Sequence, residues 1–234
     1  MNEQHSHIVR SYDAEQHALQ GELIRMGLMA ASQLEAALEV VERRDDGAAE
    51  RVVANDEAID ALEQQVNHDV IHLIRRGPMA TDLRMILAAL RVASDIERIG
   101  DYAANIAKRS LVLNQLPPLP HTRGLGTLGR MAVQQVRDVL EAYRERDGEA
   151  ALRVRARDAE LDTLYTGLFR ELLTYMMEDQ RAITACTHLL FMAKNIERIG
   201  DHATNIAENA WFLIHGEELL PQRDKRDESN TTAV

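Results

Sequence analysis

The chain has 234 residues, 45% of them hydrophobic and only 4% aromatic, with one cysteine and a formal charge of −11 from 38 acidic against 27 basic residues. That balance argues against a phosphate backbone as the main ligand, which needs clustered Lys and Arg, so no nucleic-acid partner is expected. A lone Cys186 permits neither an intrachain disulfide nor a thiolate metal site within one chain, and reads as a small packing residue on a helix.

No apolar run approaches the roughly 20 residues that span a bilayer. The polar stretch from Met1 to Arg10 predicts no signal peptide. A cytoplasmic chain that is not membrane-embedded is the expectation. Few aromatics, five prolines and twelve glycines predict an all-α fold with a core of Leu, Ile, Val, Ala and Met.

In chain order, residues 12–44 predict a first helix, stopped at Arg44-Asp45-Asp46-Gly47. Residues 47–75 predict a second, ended by Gly77-Pro78, with Thr81-Asp82 opening a third over 79–113. Within this third stretch Ile86, Leu87, Leu90 and Ala93, then Ile96, Ile99, Ala103, Ile106 and Leu113, recur at three and four spacing and mark one buried face. The segment Leu116-Pro117-Pro118-Leu119-Pro120 divides the chain. Helices over 124–147, 149–178 and 181–214 follow, the first two separated by Arg146-Asp147-Gly148. Connections this short place neighbours antiparallel, so the expected fold is two tandem, pseudo-symmetric antiparallel three-helix bundles, over residues 8–115 and 122–216. The charged tail 222–234 is expected to be disordered.

The halves are copies. Ile96 to Ala107, IERIGDYAANIA, returns one hundred positions later as Ile196 to Ala207, IERIGDHATNIA, matching at ten of twelve positions. Leu38–Val52 aligns with Leu140–Val154 at an offset of 102, and Asp56 and Asp60 fall on Asp158 and Asp162 at the same offset. A two-residue shorter connection in the second copy accounts for the change.

Residues four apart share a helix face, so Glu97, Asp101 and Asn105 form a ladder of oxygen donors, as do Glu197, Asp201 and Asn205. The pairs Asp56/Asp60 and Asp158/Asp162 lie on the preceding antiparallel helix, so each half gathers four carboxylates if those edges meet. Such a cluster raises carboxylate pKa values unless a cation neutralises it. Carboxylates and an amide without cysteine favour Mg, Mn, Ca or Fe, and the residues do not select among these. His202 projects about 100° away from Asp201 and is not counted as a ligand. Gly100 and Gly200 read as points where another backbone or a bulky ligand shell comes close, and Arg98 and Arg198 either as i+3 partners of Asp101 and Asp201 or as clamps behind the metal-holding acids. The alternatives are a metal-free structural dimer whose acids are solvated, and a ferritin-like carboxylate metal protein. The latter needs Glu-x-x-His, and glycine stands three residues after each glutamate.

Six helices in two repeats, with D-x-x-x-D on the second and E-R-I-G-D-x-x-x-N-I on the third helix of each, resemble the PhoU family of phosphate-uptake regulators. The resemblance covers about residues 8 to 215, including Pro78-Met79-Ala80-Thr81-Asp82-Leu83-Arg84 and Leu173-Thr174-Tyr175-Met176-Met177-Glu178-Asp179. It implies divalent or trivalent metal ions (Mg, Mn, Fe or Zn) held by Asp56, Asp60, Glu97 and Asp101 and by Asp158, Asp162, Glu197 and Asp201. It further implies a cytoplasmic, non-enzymatic homodimer. Its implied partners are the ATPase of the phosphate ABC transporter and the phosphate sensor histidine kinase, and its implied effect is repression of the phosphate regulon when phosphate is plentiful.

Overall fold

The computed structural model describes residues 2–77, 80–119 and 122–219. Six long helices carry the described chain: α1 (Asn2–Arg43), α2 (Asp46–Ile74), α3 (Ala80–Asn114), α4 (Thr122–Glu145), α5 (Gly148–Glu178) and α6 (Ile183–His215), with one 3₁₀ turn, Gln180–Ala182, leading into α6. Among the described residues no strand occurs. The fold is all-α, two three-helix bundles in tandem. The first helix starts ten residues earlier than its hydrophobic pattern suggests, because residues 2–11 contain no proline or glycine to stop a helix already nucleated downstream. The tail 222–234 lies outside the described residues, as do Pro78 and Met79.

The turns form as their chemistry dictates. Asp45 and Asp147 are matched N-caps, each accepting the backbone N–H three residues on at 2.9 Å. The residues before them, Arg44 and Arg146, adopt left-handed backbone at φ 57° and 53°. Arg44 also reaches across its bundle, donating from Nη2 to the carbonyls of Leu113, Asn114 and Leu116 at 3.0, 2.8 and 2.5 Å, where α3 ends.

α1, α2 and α3 pack on one another, as do α4, α5 and α6, and the bundles join through α1 against α4 and α3 against α6. α2 and α5 lie on the outside. The α1–α4 contact follows the duplication: a Cβ on Gly27 would come within 2.3 Å of Leu140, and one on Gly129 within 2.3 Å of Leu38. Gly27 and Gly129 are repeat equivalents, and so are Leu38 and Leu140, so each helix offers the same leucine to the same notch of its copy. Positions that meet their own equivalent cannot be identical charges, and here they differ: Glu35 accepts from Arg137 at 2.7 Å. Tyr102 likewise meets His202 across α3–α6, ring centroids 5.7 Å apart. The core is aliphatic, with Ile59, Ile96, Ile99 and Ile106 almost wholly buried in the first bundle and Leu161, Ile196, Ile199 and Ile206 in the second. Cys186 packs in this core.

Candidate metal centre

The helix faces that carry the acids meet in both bundles. A Cβ on Gly100 of α3 would lie 3.2 Å from Asp56 Oδ1 and 3.0 Å from Ile59 Cδ1 of α2. On Gly200 of α6 it would lie 3.1 Å from Asp158 Oδ1 and 2.5 Å from Leu161 Cδ2 of α5. A glycine fits there because the paired helix's isoleucine or leucine and its aspartate fill the notch, more tightly at Gly200 than at Gly100. The notches thus set Asp56 against α3 and Asp158 against α6, and in the first half Asp60 and Asp101 act electrostatically on both Asp56 and Glu97.

A glutamine completes each notch. Gln33 of α1 donates Nε2 to Asp56 Oδ1 at 2.7 Å and to the Gly100 carbonyl at 3.2 Å. Gln135 of α4 donates to Asp158 Oδ1 at 3.2 Å. Sequence reasoning missed both, although their offset of 102 is the offset of the acidic pairs. An uncharged residue on the most distant helix of each half gives no ladder pattern.

The first groove is open and strongly acidic. The Glu97 side chain is 16% exposed and Asp101 36%, and Arg98 bridges them from the solvent side, 3.2 Å from Glu97 Oε2 and 2.9 Å from Asp101 Oδ2. Burial pushes the Glu97 carboxyl up to about 7, with further upward pressure from Asp101, Glu63 and Asp60, and Arg98 pulling the other way. Burial also raises Asp56, aided by Asp101 and Asp60 and opposed by the Gln33 amide and Lys108. The second groove is closed: Asp158 and Asp162 are 2% exposed and Glu197 3%.

The asparagine of the second ladder does not extend it as expected. Asn205 donates to Asp95 of α3 at 3.2 Å, beside His202, whose Nδ1 lies 2.8 Å from the same oxygen. Each four-residue step overshoots a turn by about 40°, so two steps carry Asn205 off the groove and onto the α3–α6 seam. His202 faces that seam too, in keeping with its exclusion as a ligand. Arg98 pairs with Asp101 as expected, whereas Arg198 donates to Tyr102 Oη at 3.3 Å.

The donor set of carboxylates with a buried glutamine amide suits a hard cation. Gln135 Oε1 is buried without a hydrogen-bond partner and sits 3.4 Å from the Gly200 Cβ position, an acceptor facing the groove. Among the described residues, no three His, Cys, Asp or Glu side chains converge closely enough to hold an ion as they stand. A bound ion therefore requires carboxylate rotation about χ1 and χ2.

A family model described as PhoU domain matches residues 23–110 and again 125–210. The chain belongs to the PhoU family. It is 64% identical over 228 residues to a phosphate-specific transport system accessory protein PhoU homolog of Xylella fastidiosa strain 9a5c, covering 97% of this chain and 96% of that one. It is 33% identical over 214 residues to the phosphate-specific transport system accessory protein PhoU of Escherichia coli K12, covering 91% and 89%. Among solved structures, PhoU from Pseudomonas aeruginosa superimposes with a TM-score of 0.85 at 33% identity, covering 88% of this chain and all of that one. Both tandem matches contain one notch, with its acidic pair and its glycine. No helix among the described residues is long and apolar enough to cross a membrane.

Proposed function

We propose that the chain is a regulatory accessory protein of phosphate uptake, carried above all by its near full-length similarity to transport-system accessory proteins. In this reading it is a cytoplasmic homodimer without catalytic activity. It connects the ATPase of the phosphate ABC transporter to the phosphate sensor histidine kinase and represses the phosphate regulon when phosphate is plentiful. The α-helical surfaces supply the docking faces.

Metal at the acidic grooves is the structural element of that proposal. Asp56, Asp60, Glu97 and Asp101 would hold it in the first bundle, and Asp158, Asp162, Glu197 and Asp201 in the second. Because two helices share each groove, a cation between them would tie α2 to α3 or α5 to α6. The regulatory test is affinity capture from cells grown with and without phosphate, with loss of repression on deletion of the gene. The ATPase and the kinase are expected in the eluate, and a phosphate-regulated promoter is expected to fire constitutively. Absence of both partners under both conditions would remove the adaptor claim.

The metal claim is tested separately, by metal analysis of wild type and of a Glu97→Ala, Asp101→Ala, Glu197→Ala, Asp201→Ala variant. Equal content in the two proteins disposes of it. The competing reading is a metal-free bundle, favoured by the lack of three converged ligands among the described residues. Manganese or magnesium that binds only the folded state must raise the thermal midpoint, by about 2.7 kcal/mol of stability at a hundredfold excess over Kd. An unchanged midpoint supports the metal-free reading.

A further inference from the structure

The two grooves differ at flanking positions that change their charge: Lys108, which acts on Asp56 from the end of the first ladder, is Glu208 in the second copy, and two further changes lie beside the glutamates. Ser94 of the first copy is Lys194 in the second, and Glu63 is Tyr165. In the second bundle these two changes act together. Lys194 Nζ lies 2.9 Å from Glu197 Oε2 and 5.0 Å from the centroid of the Tyr165 ring, on the turn of α5 after Asp162. The ammonium thus stands between α6 and α5, held by a nearly buried carboxylate and an aromatic face. In the first bundle Glu63 adds a further negative charge beside Glu97, and no lysine stands at the matching place.

We propose that Lys194 is a tethered counter-cation that fills the second acidic groove, so that metal ions load the first groove in preference. This rests on the reading that the grooves bind metal at all. Arg98 does not play the same part in the first groove: it is half exposed and lies across the solvent side of Glu97 and Asp101, where an ion pair is worth little and is displaced cheaply. Displacing Lys194 instead separates a pair in which Glu197 is 3% exposed. The orphaned Oε1 of Gln135 marks the second groove as able to hold a cation once the lysine is gone.

The experiment titrates the full chain with Mn²⁺ alone, reading bound metal by equilibrium dialysis. Wild type is expected to retain manganese after Glu197→Gln/Asp201→Asn and to lose most of it after Glu97→Gln/Asp101→Asn. Lys194→Ser, which restores the residue of the first copy, should add a second load, and Ser94→Lys should weaken the first by about tenfold. Equal loading of both grooves in wild type, or no gain in Lys194→Ser, overturns the proposal.

A metal-free arm guards against misfolded variants. In chelator, Lys194→Met and Glu197→Gln should each lower the thermal midpoint, and the double variant should fall by less than their sum. Strict additivity overturns the counter-cation. Coupling without manganese binding in any variant defeats the metal reading and the loading preference with it, and the coupling itself tells that outcome from failure of the lysine assignment.

Discussion

The first acidic groove leaves Glu97 and Asp101 within reach of solvent and of Arg98, whereas in the second Asp158, Asp162 and Glu197 are withdrawn to 3% exposure or less and Lys194 joins them. Yet the two share a glycine notch, a glutamine from the first helix of the bundle and an aspartate bonded to it. The elements held in common are those of helix packing, since side chains of the paired helix occupy the space beside positions 100 and 200, most tightly at 200. The elements that diverge lie one turn to the side, where a change alters charge without moving a backbone. Duplication thus preserved the shape of the groove twice while allowing two electrostatic settings.

The notch provides the strongest way to break that comparison. Gly200→Ala places a methyl 2.5 Å from Leu161 Cδ2, with Asp158 and Gln135 also close, and nothing in that buried corner moves freely. Overpacking of this kind costs about 1–3 kcal/mol. At Gly100 the nearest atom is the end of Ile59, at 3.0 Å, in the more open groove. There the cost is offset by the roughly 1 kcal/mol that alanine gains over glycine within a helix. Urea denaturation in chelator should therefore show a clear loss for Gly200→Ala and little change for Gly100→Ala. Equal losses would mean that the two grooves are equally tight.

A smaller effect with opposite signs in the two bundles is expected at the left-handed arginines. Arg146→Gly relieves a positive φ on an exposed residue and should stabilise by about 0.5–1 kcal/mol. Arg44→Gly relieves the same strain but removes the Nη2 group whose two N–H are shared among three carbonyls that end α3, at about 1 kcal/mol for each N–H, so its net effect is destabilising. Thermal melts of the two variants check this. A gain in both would show that the Arg44 bonds contribute nothing.

Much of this architecture was legible in the residues. The three-and-four spacing of Ile96, Ile99, Ala103 and Ile106 reports a buried face, and the D-G and P-P breaks report the ends of helices. The matched offsets of Asp56/Asp158 and Glu97/Glu197 brought the right helices together, because a carboxylate pair repeated on adjacent antiparallel helices has few other places to go. What periodicity cannot report is depth. Asp158 and Asp60 carry the same charge on the same kind of helix, yet one is nearly buried and the other partly exposed. That difference arises from neighbours on helices distant in sequence. The role of Lys194 was hidden for the same reason: on a helix face it reads as solvated until Tyr165 and Glu197 are seen around it.

The mildest test, and the one that isolates the first groove, is the pH dependence of stability. Glu97 has its carboxyl raised from 4.5 to about 7, mainly by burial and then by Asp101, and Asp56 is raised for similar reasons. The folded chain then holds more protons than the unfolded one between those values. The Glu97 contribution to the stability of the metal-free protein therefore falls as pH rises from about 4.5 to 7. Because the side chain keeps contact with solvent, screening holds the effect below about 1 kcal/mol. Melts in chelator at pH 5 and pH 8 should differ by a small amount in favour of pH 5, and Glu97→Gln should remove most of that difference by removing the titrating group. Manganese should reverse the slope, since an ion bound to Glu97 competes with its proton and binds best at pH 8. A wild-type slope unchanged by Glu97→Gln would place the titration elsewhere and remove the electrostatic distinction between the two grooves.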